Sequence, residues 1–113
     1  MSGTLSQSIQ IAATPEALWD LLRTAAGIRD WYDDWDAIED ASERYLHVGT
    51  SFRLVRRRGS SVESVVCRVT VVDEPHRLTW SESAPRQPPV SVDFQLEPDP
   101  ETAGTLLTLS KHY

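Results

Sequence analysis

Cys67 is the only cysteine in 113 residues, which excludes a disulfide within the chain and any zinc framework built from its cysteines. Lysine is as scarce. Lys111 stands alone beside ten arginines, a bias that reads as codon composition more than as function. Basic residues as a whole are outnumbered, eleven against seventeen acidic ones, so the formal net charge of −6 would on average repel a phosphate backbone, and no nucleic-acid partner is expected. No run of about eighteen apolar residues occurs, and MSGTLSQSIQIAATPEA at the N-terminus lacks the basic and apolar regions of an export signal. Neither a membrane span nor export is therefore expected, and the expected location is cytoplasmic. His47, His76 and His112 are scattered without an HxxxH or HxH pair, so a histidine metal site is not expected either. There is no nucleophile elbow, glycine-rich phosphate loop or dinucleotide fingerprint. No cofactor is expected.

What is present is ordinary globular composition, 40% hydrophobic and 25% charged, at a length that suits one domain over residues 1–113 with a single small core. Leu5, Gln7, Ile9 and Ile11 alternate with Ser6, Ser8 and Gln10, the pattern of an edge-like first strand. In TPEALWDLLR, Thr14 suits an N-cap, Pro15 the first helical position and Glu16 the positive end of the helix dipole. Leu18, Leu21 and Leu22 make its apolar stripe, widened by Trp19. Gly27 interrupts the pattern, and a second short helix is predicted over Ile28 to Trp35, with Ile28, Trp31 and Trp35 on one face.

From Asp36 onward the chain changes to strands. They are predicted at Ala37 to Asp40, Ser51 to Arg58, Val62 to Val72 and Leu78 to Ser83, then across Val90, Val92, Phe94 and Leu96, and finally across Leu107 and Leu109. Gly59 supplies the positive φ for a hairpin turn between the second and third of these. The order predicts an α+β domain in which one curved antiparallel sheet of about six or seven strands carries two short helices after its first strand. One face is apolar: Val65, Cys67, Val69 and Val71 share a phase, matched by Leu78 with Trp80, by the Val90 row, and by Leu107 with Leu109. Two-turn helices are expected to be too small to cover a sheet of this width.

The segments IQIAATPEALWDLL, IRDWYDDW, LHVGTSFRL, VTVVDEPHRLTW and VDFQLEPDPETAGTLLTLS together resemble the SRPBCC superfamily, the START or Bet v 1-like helix-grip proteins. Within it they are most similar to the group of the Hsp90 ATPase activator C-terminal domain and the polyketide cyclases. The resemblance covers about residues 5 to 111. It implies a long C-terminal helix lying across the concave face of the sheet, with an apolar cavity between helix and sheet. GTLLTLSKHY occupies the place where the last strand would lead into that helix, and no such helix is predicted here. A shortened gene, a second copy covering the face in a homodimer, or a partner protein are the three expectations. Leaving half a dozen apolar side chains open at about 1.5–3 kcal/mol each forgoes on the order of 10 kcal/mol, as much as a whole domain's stability.

Residues 30–40, DWYDDWDAIED, gather three aromatic and six acidic side chains, but without the glycine and terminal glutamate of a calcium loop. The resemblance implies that Trp31, Tyr32 and Trp35 line or close a cavity mouth; alternatively the rings are core. Cys67, between strand valines, reads as a small buried hydrophobe rather than a nucleophile. Alternation puts Arg56 on the face of Phe52 and Leu54, where it could meet a ligand carboxylate, or else it is an ordinary exposed hairpin charge.

The expected ligand-binding residues are Trp31, Trp35, Phe52, Leu54, Arg56, Val69, Trp80, Phe94 and Leu107, a mostly apolar wall suited to a small hydrophobic molecule of lipid, polyketide or aromatic type. Such a wall favours burial over bond-making, and no catalytic residue is assigned. A cyclase or dehydratase reading would draw on His47, Asp36 and Arg56. A chaperone-activator reading would instead dock a protein on the apolar face or the acidic segment.

Overall fold

The computed structural model describes residues 3–32 and 35–113, with the side chains of residues 29–31 outside the description. β1 (Thr4–Ile11) leads into α1 (Pro15–Leu22) and α2 (Ala25–Trp31). The rest of the chain is β2 (Ala37–Glu39), β3 (Ser51–Arg58), β4 (Ser61–Asp73), β5 (Arg77–Ser83), β6 (Val90–Pro98) and β7 (Thr105–His112). The strands form one seven-stranded antiparallel sheet in the order β1-β7-β6-β5-β4-β3-β2. This is a meander from β2 to β7 with β1 closing on β7, and it gives the expected helix-grip-like α+β domain. Among the described residues no long helix follows β7.

α1 begins where its caps dictate: the Thr14 hydroxyl accepts from the Ala17 amide at 3.2 Å, and Pro15 follows at the first helical position. α2 differs from its predicted span. It starts three residues earlier, capped by Thr24 through the Gly27 amide at 3.2 Å, and it ends at Trp31, so Trp35 lies beyond it. Gly27 does not break this helix. A Cβ there would come within 2.7 Å of both the Leu21 carbonyl and the Thr24 hydroxyl, so glycine is what lets α2 start hard against the end of α1.

The concave face also departs from simple alternation at one place. The β4–β5 register slips between Val69 and Val71, so Val72 pairs with Leu78 and packs on the core, whereas Val71 pairs with Thr79 on the other face. The apolar row of β4 is therefore Val65, Cys67, Val69 and Val72. Trp19, Leu22, Ala25, Ile28 and Tyr32 from the helical layer meet Phe52, Leu54, Cys67, Val69, Leu78, Trp80, Val92, Phe94 and Leu96 from the sheet in one buried cluster.

The short helices thus cover more of the sheet than their length led us to expect, because large aromatic rings fill the middle. Tyr32 stands edge-on to Trp80 and Phe94 at 5.6 and 5.9 Å between centroids, and Phe52 is edge-on to Trp80 at 5.4 Å. Cover runs out at the β1–β7 side, where Leu5 is 63% and Ile9 49% exposed. The opposite face of this strand pair is polar, with Ser6–Ser110 and Ser8–Thr108 hydroxyl pairs at 3.1 and 2.9 Å.

Candidate functional site

The structure divides the sequence-predicted site residues into a buried group and a cleft group. Phe52, Leu54, Val69, Trp80 and Phe94 are all at most 2% exposed, sealed between the sheet and the helical layer. Leu107 is half-buried at the edge of that cluster, opposite Leu96. Trp35 and Arg56 come together elsewhere, at the β3–β4 hairpin end. There they line a cleft of about 540 Å³ whose other walls include Glu63, Val65, Glu82, Pro85, Pro88 and Val90. The side chain of Trp31 lies outside the described residues.

Arg56 is held in place before any ligand is considered. Its Nη2 and Nε both lie 2.8 Å from Glu63 Oε2, and its guanidinium carbon sits 4.7 Å from the centroid of the Trp35 ring. The first contact follows from the hairpin, because Arg56 and Glu63 are register partners on β3 and β4. The second is a cation–π contact that fixes the Trp35 indole. The indole Nε1 is buried without a hydrogen-bond partner among the described residues, an arrangement that ordinarily costs about 1–3 kcal/mol.

Sequence reasoning missed Glu82 as a site residue. It follows Leu78 and Trp80 in the same inward phase of β5, which places a carboxylate on the apolar face, and it is only 8% exposed. Two donors converge on its Oε2: the Trp80 indole N–H at 3.0 Å and the Tyr32 hydroxyl at 3.2 Å. Among the described residues its Oε1 accepts no hydrogen bond, and no arginine or lysine pairs with it. The signal that would have found it was present, since an acid in phase with two core residues must be either satisfied or functional. Burial pushes the neighbouring Cys67 thiol up, and the negative charge of Glu82, its register partner, adds to this. Cys67 is accordingly a neutral core thiol and not a nucleophile.

The residues considered for proton transfer are not brought together. His47 is exposed in the segment before β3, 3.8 Å from Glu43. Arg56 is near the other end of that strand, and Ser51 to Arg56 alone spans about 16 Å at 3.3 Å per residue. Asp36 accepts from the Arg57 amide at 2.7 Å on the exposed side of β3. Among the described residues no group of three His, Cys, Asp or Glu side chains is placed to hold a metal ion, and no helix is long and apolar enough to cross a membrane.

A meandering sheet gripping paired short helices, with a cleft opening at its concave side, defines a helix-grip-like domain. The chain belongs to the polyketide cyclase/dehydrase and lipid transport family, whose profile matches residues 2–113, and through it to the SRPBCC superfamily. Among solved structures it is similar to a protein from Rhodobacter sphaeroides, at 27% identity and a TM-score of 0.74 over 97% of this chain and 72% of that one. An aromatase/cyclase from a Streptomyces species superposes with a TM-score of 0.77 at 16% identity, covering 99% of this chain and 67% of the other. A major latex-like protein from Panax ginseng gives 0.76 at 13% identity, covering 99% and 78%. No protein of curated function matches the chain.

Proposed function

We propose that this domain binds a small, largely apolar molecule on the concave side of its sheet, entering at the cleft between Trp35, Arg56, Val65, Glu82 and Val90. The observation that carries this reading is the cleft itself. Trp35, Val65, Pro85, Pro88 and Val90 give it an apolar wall beside the polar side chains of Arg56, Glu63, Ser64, Glu82 and Gln87. It thus offers both a surface for an apolar body and handles for a polar group, at a volume within the ordinary range for a small-molecule site. The family's description, which names lipid transport beside cyclase and dehydrase chemistry, supports a hydrophobic ligand. Binding rather than catalysis fits the separation of His47 from Arg56. The buried residues Phe52, Leu54, Val69, Trp80 and Phe94 would then form the floor beneath the ligand, reached only if the helical layer shifts, while Leu107 would flank it.

Tryptophan fluorescence tests the proposal, because Trp35 is in the cleft wall and Trp80 touches Glu82. Titration with a panel of lipids, fatty acids and aromatic polyketides is expected to change the emission for at least one class. Trp35→Ala should weaken that ligand about tenfold, since buried aromatic anchors dominate binding energy. Emission unchanged across the whole panel would count against the proposal.

The open strip at Leu5 and Ile9 on β1, beside half-buried Leu107 and Leu109, motivates a second element of the proposal: a homodimer, or a partner protein, covers this side of the sheet. Light scattering on a sizing column across a range of concentrations is expected to give twice the chain mass. A monomer that stays soluble and folded at every concentration would eliminate self-association.

A further inference from the structure

We propose that the cleft selects ligands carrying a protonated amine, with Glu82 as the group that recognises it. The inference rests on the small-molecule reading above and specifies the ligand's polar handle. Among the described residues three charged side chains line the cleft, Arg56, Glu63 and Glu82, and the first two already neutralise each other through the 2.8 Å contacts of Arg56 with Glu63 Oε2. One negative charge is left over. It belongs to a carboxylate that is more than nine-tenths buried, and its environment supplies two neutral donors, both on Oε2. Lys111, the only lysine, sits over the Tyr32 ring at 5.2 Å to its centroid and does not pair with Glu82.

A buried carboxylate held by neutral donors keeps most of its desolvation cost until a cation or a further donor reaches its second oxygen. Oε1 accepts nothing among the described residues, and Glu82 forms part of the cleft wall. An ammonium group entering there would complete the carboxylate's hydrogen bonding and cancel the surplus charge while its apolar body lies against Val65, Val90 and Pro88. A ligand carboxylate meets the opposite situation. Glu82 repels it, and the one arginine on the cleft wall among the described residues is committed to Glu63 and to the Trp35 ring. The net charge of −6 on the whole chain works in the same direction, favouring the approach of cations.

The experiment uses three probes that share one apolar body and differ in the handle: naphthylethylamine, naphthylethanol and naphthylacetate, titrated calorimetrically into the intact protein. The amine is expected to bind about tenfold more tightly than the alcohol, and the carboxylate more weakly than both. Glu82→Gln should remove the amine's advantage while leaving the alcohol within about twofold. Arg56→Gln removes the closer of the two arginines on Glu63, leaving only Arg58 at 3.8 Å, and by adding net negative charge to the cleft it should tighten the amine further; weakening by that variant would overturn the proposal.

A carboxylate that binds as well as the amine, or an amine advantage that survives in Glu82→Gln, would also overturn it. Equal binding of all three probes would overturn the role of Glu82 and leave the pocket standing. No binding of any probe would overturn both. If Glu82→Gln fails to fold, the order of the three probes on the wild type and on Arg56→Gln decides the matter.

Discussion

Trp80→Ala is expected to cost about 3–5 kcal/mol of folding stability, a large part of the roughly 5–15 kcal/mol that holds a domain of this kind together. Trp80 is the largest of the fully buried side chains. It packs against three other rings at once, with Phe94 at 5.0 Å, Phe52 at 5.4 Å and Tyr32 at 5.6 Å between centroids. Truncation would leave a cavity that the rings of three separate elements cannot all move to fill, and so the transfer loss and the cavity penalty add. It would also strip Glu82 of its indole donor.

The two effects are separable. Trp80→Phe keeps much of the packing and removes only the N–H, so it should cost about 1–3 kcal/mol, the penalty of an under-satisfied buried acceptor. Urea unfolding followed by circular dichroism measures both variants. A loss below about 1 kcal/mol for Trp80→Ala would mean that the ring cluster is not the centre of the core.

How far the sequence discloses this architecture depends on whether the deciding interaction is local. β3 was predicted at its observed bounds, Ser51–Arg58, because alternation there is flanked by a glycine turn at Gly59, whose φ is +60°. The even rows of β6 were equally plain. The slip in β4 was not, because the inserted residue falls in a stretch where Val69, Val71 and Val72 have the same chemistry, and composition alone cannot say which valine turns outward. α2 was displaced for a similar reason. In the sequence Gly27 reads as an interruption, whereas its role is set by a neighbour, the Leu21 carbonyl at the end of α1.

The site follows the same rule. That Arg56 faces inward was legible from strand phase, and its pairing with Glu63 follows from counting back through the hairpin turn. What no local pattern carries is the meeting of Tyr32 and Glu82, fifty positions apart, since it depends on how the end of α2 is laid over β5. The separation of His47 from Arg56 was hidden likewise, because each looks plausible as a cavity residue until the length of β3 is put between them.

Asp93→Asn is expected to be the most damaging substitution on the other face of the sheet, costing about 2–4 kcal/mol at neutral pH. Asp93 is 2% exposed and receives Arg77 Nε at 2.8 Å and the Thr79 hydroxyl at 2.5 Å on Oδ1, with Gln95 Nε2 at 2.8 Å on Oδ2. Burial alone would raise this carboxyl, but the hydrogen bonds from Arg77, Thr79 and Gln95 and the charge of Arg77 outweigh it and hold the group below its ordinary value. The sign of the pH effect follows. A carboxyl whose folded value is depressed contributes stability that is fully present above the unfolded value, about 3.9, and is lost as pH falls through the folded value beneath it.

Wild-type stability should therefore decline below about pH 4 in part through Asp93, whereas in Asp93→Asn that contribution is absent and the gap between the two proteins narrows as the solution is acidified. Denaturation midpoints of both proteins at a series of pH values, with m-values compared to verify that both unfold alike, provide the check. A gap that stays constant from neutral pH down into the acid range would show that asparagine's defect is steric, and that the charge of Asp93 does not hold β5 to β6.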